Sequence, residues 1–296
     1  MLLATSTNIY CERNGEQDIP VEESIRMCAD AGYRYLDFGF EELNRRSTLL
    51  SKSEWKQELL IYKKIADDLG VGFVQAHAII YNFCNISPNS LLLEKLMKRC
   101  VEGTALLGAN WIVVHPSTYI EDGDISPETH ARNVEYFKKL VNFAQQFDVG
   151  VAIENMWGKT KEGVQRYAIK AEELVGLIDA VDHPYFGACW DVEHGSVEGI
   201  NQPDAIRMLG CRLKAVHISD ESGLDHVHIL PYMGSISWSP ILQALAEINY
   251  NNPFTFEIQH YLPNVPEHLV LPSMHLSIKV GNYMIDQINA YKESLF

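Results

Sequence analysis

The chain has 296 residues, 47% of them hydrophobic, which is enough for one large domain with an ample core. Acidic residues outnumber basic ones, 39 against 24, and a formal charge of −15 disfavours nucleic acid and anionic membranes as partners. Six cysteines, at positions 11, 28, 84, 100, 189 and 211, form no CxxC pair and read as thiols of a reducing, cytoplasmic compartment.

Taken in chain order, the opening MLLATSTNIY has no basic segment and no long apolar run, so no secretory leader is expected. It holds a first short strand over Leu2 to Thr5. Pro20 suits a first helical turn and Gly32 a helix end, which predicts a helix over 20–31. Tyr33 to Phe38 is a second strand carrying Asp37, and Ser53 is the expected cap of a helix running to Leu69. Gly72 to Ala76 is a third strand ending at His77, followed by a helix over 90–107. Trp111 to Val114 is a fourth, ending at His115, and Ser126-Pro127-Glu128 opens the next helix. Val149 to Ile153 is a fifth strand ending at Glu154, with a helix over 170–181 after a Gly- and Lys-bearing loop. Phe186 to Trp190 is a sixth strand ending at Asp191, and an eight-residue helix over 202–209 follows. Leu213 to Val216 ends at His217, the segment 219–238 is irregular, and 239–248 is helical. Phe254 to Phe256 ends at Glu257, and a closing helix extends from about 266 towards Tyr291. No window approaches the roughly 18 apolar residues that a membrane span needs.

Eight alternations of strand and helix predict an α/β fold: a single (β/α)8 TIM barrel over 1–296 with its active site at the C-terminal ends of the strands. The polar residues closing strands two to eight are Asp37, His77, His115, Glu154, Asp191, His217 and Glu257. Successive gaps are 40, 38, 39, 37, 26 and 40 residues, and one eighth of the chain is 37. The short gap fits the eight-residue helix at 202–209.

A barrel gathers these strand ends around one opening, so Glu154, Asp191, His217 and Glu257 should surround a single point. Three carboxylates cannot stay ionised together without a cation. The expected cofactor is therefore one divalent metal ion, Mn, Mg or Co with Zn possible, and additional ions are a secondary expectation. The competing reading pairs the carboxylates with Lys or Arg, but only Lys159, Lys161 and Lys214 lie near these ends.

The stretches VAIEN, WDVEH, KAVHISD and FTFEI carry Glu154, Asp191 with His194, His217, and Glu257. On these residues the chain resembles the xylose isomerase-like TIM-barrel superfamily, which includes sugar phosphate isomerases and epimerases and the endonuclease IV branch. In ketose 3-epimerases the residues matching Glu154, Asp191, His217 and Glu257 hold one divalent ion. The resemblance also implies that the two glutamates form an acid/base pair on opposite faces of a sugar. In the endonuclease IV branch the positions matching His77, His115, His194 and His228 are ligands too, and three zinc ions share the site. The aspartate expected two residues before His228 is His226 here, with Asp225 beside it. The arginine that epimerases tend to carry six residues past the strand-seven histidine is Gly223.

His77, His115, His194 and His228 are expected to contact substrate or to support the metal ligands rather than to bind a metal themselves. Asp37 is either a structural residue or a substrate contact. Trp157, Trp190, Trp238, Phe40 and Tyr10 lie near predicted strand ends or loops, where aromatics commonly belong to the core and stacking on a sugar is the alternative for each; Trp157 is taken as the candidate substrate contact. Lys159 and Lys161 read as solvated loop lysines, with holding a phosphate as the alternative.

The expected activity is isomerisation or epimerisation of a sugar or sugar derivative, by glutamate-mediated proton transfer through a metal-stabilised enediolate. The alternatives are a keto-polyol dehydratase or lyase on the same site, and a multi-zinc phosphodiesterase of the endonuclease IV kind. A catalytically dead barrel is the non-enzyme reading. The expected partner is a small sugar or polyol, with a homo-oligomer possible.

Overall fold

Apolar runs this short, buried on both faces, are satisfied only when the strands pair in parallel and helices cover the outside. A computed structural model describes every residue except 14–18, 42, 44–48, 86, 224–226 and 296. Asp225 and His226 therefore lie outside the described residues.

The barrel strands are β1 (Leu3–Ser6), β2 (Tyr35–Gly39), β3 (Gly72–His77), β4 (Trp111–Val114), β5 (Gly150–Glu154), β6 (Phe186–Asp191), β7 (Leu213–Ile218) and β8 (Phe254–Phe256). They pair in parallel in sequence order, and β8 closes on β1. The helices are α1 (Val21–Ala31), α2 (Trp55–Asp68), α3 (Ser90–Leu107), α4 (Thr129–Ala144), α5 (Ala171–Val181), α6 (Val192–Val197), α7 (Gln202–Leu209), α8 (Trp238–Glu247) and α9 (Glu267–Leu295). Gly32 ends α1 at φ 103, and its N–H reaches back to the Ala29 and Cys28 carbonyls.

Three expectations are corrected. Ser53 does not cap α2; its hydroxyl donates to the Glu54 carboxylate, and no side chain caps that helix. Asp37 does not close β2, which continues to Gly39. Two register shifts accompany this, one between β2 and β3 at Leu36/Asp37 and one between β6 and β7 at Ala188/Cys189. Asp37 consequently lies two residues deeper along its strand than a rim residue would, fully enclosed by the barrel. The connection from β6 to β7 holds two helices rather than one. The six residues of α6 are too few to show a helical period, and the helix exists because the Asp191 side chain accepts from the His194 N–H at 2.8 Å.

Inside the barrel Val113, Ala152, Cys189 and Ala215 form a small-residue layer, beyond which the lining turns polar. The six cysteines form no disulfide. Among the described residues no helix is long and apolar enough to cross a membrane.

Candidate metal centre

Glu154 closes β5, Asp191 closes β6, His217 is the penultimate residue of β7, and Glu257 follows β8 directly. One ligand atom from each lies within 4.8 Å of the others. His217 Nδ1 is 2.6 Å from Glu154 Oε1 and 3.0 Å from Glu257 Oε2, with Asp191 Oδ2 at 4.0 Å. Among the described residues, Glu154, Asp191 and Glu257 pair with imidazoles and with no lysine or arginine. Among the described residues the ion-pair alternative to a metal thus has no lysine or arginine partner.

The ligand orientations come from a supporting layer. His217 Nε2 faces Asp37 Oδ2 at 3.3 Å, and Gln75 Nε2 donates to that same oxygen at 2.9 Å. Asp37 therefore acts on the site through His217, leaving Nδ1 turned to the carboxylates. Asn155 Nδ2 donates to the Asp191 carbonyl at 3.0 Å, and Asn155 Oδ1 accepts the Asp191 N–H at 2.6 Å. The Asn155 carbonyl accepts from His194 Nδ1 at 2.8 Å, so His194 Nε2 looks towards Asp191 Oδ2, 3.8 Å away.

The electrostatics of this cluster favour a cation. Asp191 Oδ2 is buried without a hydrogen-bond partner among the described residues. Burial, with repulsion from Glu154, Glu257 and Glu193, pushes the Asp191 carboxyl well above the usual carboxylate range despite the opposing pull of His228. Burial also works against ionised Glu154, but His217 and His115 outweigh it and hold that group well below 4.5. Glu257 is likewise held low, chiefly by His217 against the cost of burial. Ionising all three carboxylates together requires a positive charge among them. An oxygen-rich set with one imidazole suits a hard or borderline divalent ion, so the residues fit the cofactor. Cys189 lies beside Glu154 and His217, but burial pushes its thiol up to about 12, so it stays neutral.

The remaining histidines are brought to the same opening. His77 Nε2 and His115 Nε2 lie 3.1 and 2.7 Å from Glu154 Oε2, and these three residues form a second ligand-like group. Asp191, His194 and His228 form a third. Burial disfavours a charge on His77, yet the Glu154 hydrogen bond and charge push its pKa up to about 10. His228 rises to about 9 against burial, through Glu193. Sequence reasoning missed Glu193, Asn155 and Asp220. Glu193 is fully buried; it accepts from the His228 N–H and Ser219 Oγ and pairs with His228 Nδ1 at 2.7 Å. Asp220 accepts from three backbone N–H groups and from Trp238 Nε1, which ties down the irregular loop after β7. The available signal was an acid flanking each recognised histidine, in DVEH and HISD.

A cavity of about 440 Å³ opens over these residues, lined among others by His77, His115, Trp157, His194, His228 and Glu257. Trp157 stacks on His194 with ring centroids 4.0 Å apart. Trp190, Trp238, Phe40 and Tyr10 are core residues, as their burial shows. Asn8 and Gln259 also line the cavity, and each has a buried amide oxygen with no partner among the described residues. Neither was foreseen, because an amide does not stand out from loop composition.

Comparison with known proteins places the chain in a class. A model of the family described as "Xylose isomerase-like TIM barrel" matches residues 25–274, and the chain belongs to that family. A curated D-psicose 3-epimerase from Enterocloster bolteae is 25% identical over 214 residues, covering 68% of this chain and 66% of its own. A probable endonuclease 4 from Geobacillus sp. is 30% identical over 165 residues, covering 51% of this chain and 52% of its own. The chain thus spans about half to two-thirds of the length of these relatives. Among solved structures, D-psicose 3-epimerase with D-tagatose from Clostridium cellulolyticum H10 superimposes with a TM-score of 0.74, 96% of this chain on 99% of that one. At 17% identity that likeness speaks to the fold alone.

Proposed function

We propose that the protein is a divalent-metal-dependent isomerase or epimerase of a sugar or sugar derivative, with Glu154, Asp191, His217 and Glu257 as the metal ligands. The observation that carries this reading is the ring of three carboxylates and one imidazole at the base of a cavity, with no lysine or arginine partner among the described residues. The relationship to a ketose 3-epimerase supports the substrate class. A divalent ion held there supplies positive charge to adjacent carbonyl and hydroxyl oxygens and acidifies the C–H between them.

The two glutamates differ in access. Both line the cavity, but the Glu257 side chain is 12% exposed and that of Glu154 is 1% exposed. Glu257 removes the carbon-bound proton, and Glu154 serves the opposite face, its Oε2 in contact with His77 and His115. Asn8 and Gln259 offer acceptors for hydroxyls, and Trp157, stacked on His194, lines the cavity beside them. Incubation of metal-loaded protein with a panel of ketoses in D2O is expected to place deuterium on carbon in the product. Turnover without carbon-bound deuterium would refute the proton transfer, and product identification would separate an epimerase from a dehydratase.

A second reading, a multi-metal phosphodiesterase, is favoured by the two further ligand-like groups and by the endonuclease relatives. The net charge of −15 opposes it. Cleavage of an abasic-site duplex at low salt, lost on chelation, would establish it; an intact duplex under those conditions would remove it.

A further inference from the structure

A second cavity, of about 320 Å³, adjoins the first and shares His115 and Ile80 with it. Its wall is the loop after β5. Lys159 and Gln165 form an antiparallel bridge, Thr160 N–H donates to the Val164 carbonyl at 2.8 Å, and the Arg166 N–H donates to the Gly158 carbonyl at 3.3 Å. Glu198 clamps this hairpin from the end of α6, accepting from the Gly158 N–H and from Gln165 Nε2. The cavity is thus built by a folded hairpin whose Lys161, Thr160 and Arg166 line it.

Arg166 differs from the arginines that carry ion pairs. The guanidiniums of Arg13, Arg132, Arg207 and Arg212 each pair with a carboxylate. Arg166 is half-buried, yet among the described residues its guanidinium makes no hydrogen bond or ion pair; it lies over the Trp157 ring, 5.1 Å from the centroid. Burial of that charge lowers its pKa. A desolvated guanidinium with unused donors costs free energy that an anion would recover, in the forked geometry suited to phosphate or carboxylate oxygens. Thr160 Oγ1 is a buried hydroxyl without a partner among the described residues, and it belongs to the loop that lines the cavity. Glu162 also reaches the lining but is exposed to water.

We infer that this cavity is an oxyanion subsite, with Arg166 and Lys161 as its cations, so that the sugar carries a terminal phosphate or carboxylate. The inference rests on the proposed sugar chemistry for what occupies the first cavity, but its test reads binding and not turnover. Isothermal titration of metal-loaded protein would compare D-fructose with D-fructose 6-phosphate and with the corresponding keto-uronate. The wild type is expected to bind one charged ligand about tenfold or more tighter than the neutral sugar. Arg166→Gln, which keeps the stem over Trp157, is expected to bring that ratio close to one. Arg166→Lys would recover part of it. Lys161→Gln, at an exposed position, would lower the ratio a few-fold and serves if the Arg166 variants do not fold. The inference is overturned if neither charge improves binding, whether or not the neutral sugar binds. It is also overturned if the gain survives both Arg166→Gln and Lys161→Gln, since the anion would then sit on the metal. A failed deuterium exchange beside an intact Arg166-dependent ratio would discard the mechanism and leave the subsite standing.

Discussion

Replacement of Glu257 by glutamine is expected to lower kcat by about 10²–10⁴-fold, the range for a positioned acid or base. The amide keeps one oxygen to offer a cation but cannot take up a proton at neutral pH. Glu257 is the stronger test of the two glutamates because its side chain is the more exposed, while Glu154 accepts from three imidazoles and its loss would disturb all of them. Carbon-bound deuterium incorporation should fall in step with kcat, while metal content measured on the same sample remains substantial. Turnover within a few-fold of wild type would remove Glu257 from the proton-transfer step.

The second large effect is the linkage between metal, protons and stability. In the metal-free protein His77 and His228 have pKa values raised from 6.5 to about 10 and about 9 by their carboxylate partners, against the cost of burial. A group whose folded pKa lies above its unfolded value stabilises fully below the unfolded pKa and loses that contribution as pH rises through the folded one. The thermal midpoint of chelator-treated protein should therefore fall between about pH 6.5 and 10 through these two groups. A bound cation acts in the opposite sense, because the Asp191 carboxyl and the His217 ring, both held well above their usual ranges, must give up protons to it. Metal affinity should tighten as pH rises, with measurable proton release on binding. At a thousandfold excess of metal over Kd the stabilisation is about 4 kcal/mol, on the order of 10 °C for a chain of this size. Melting curves of stripped and reloaded protein across that range check both signs. A midpoint indifferent to Mn, Mg, Co and Zn would sink the metal centre.

The barrel and the four proposed ligands were legible in the sequence for one reason. A (β/α)8 fold repeats a strand about every 37 residues, and each strand must be apolar until it reaches the opening. A charged residue at the end of such a run stands out. Asp37 shows the limit of that argument. It follows an apolar strand like the others, but β2 continues past it to Gly39, so it lies beneath the site and touches His217 rather than the cavity.

What the sequence determined by itself was therefore periodic and local: which segments are strands, which residues end them, and that their ends share one opening. The tertiary structure decided the contacts between those ends. It set both His77 and His115 on one oxygen of Glu154, and gave His194 to the Asn155 carbonyl. It held His228 on Glu193 and set Arg166 over Trp157 with no acid beside it among the described residues. Hydrogen-bond partners and desolvation depend on side-chain directions across strands far apart in the chain, and no spacing rule encodes those directions.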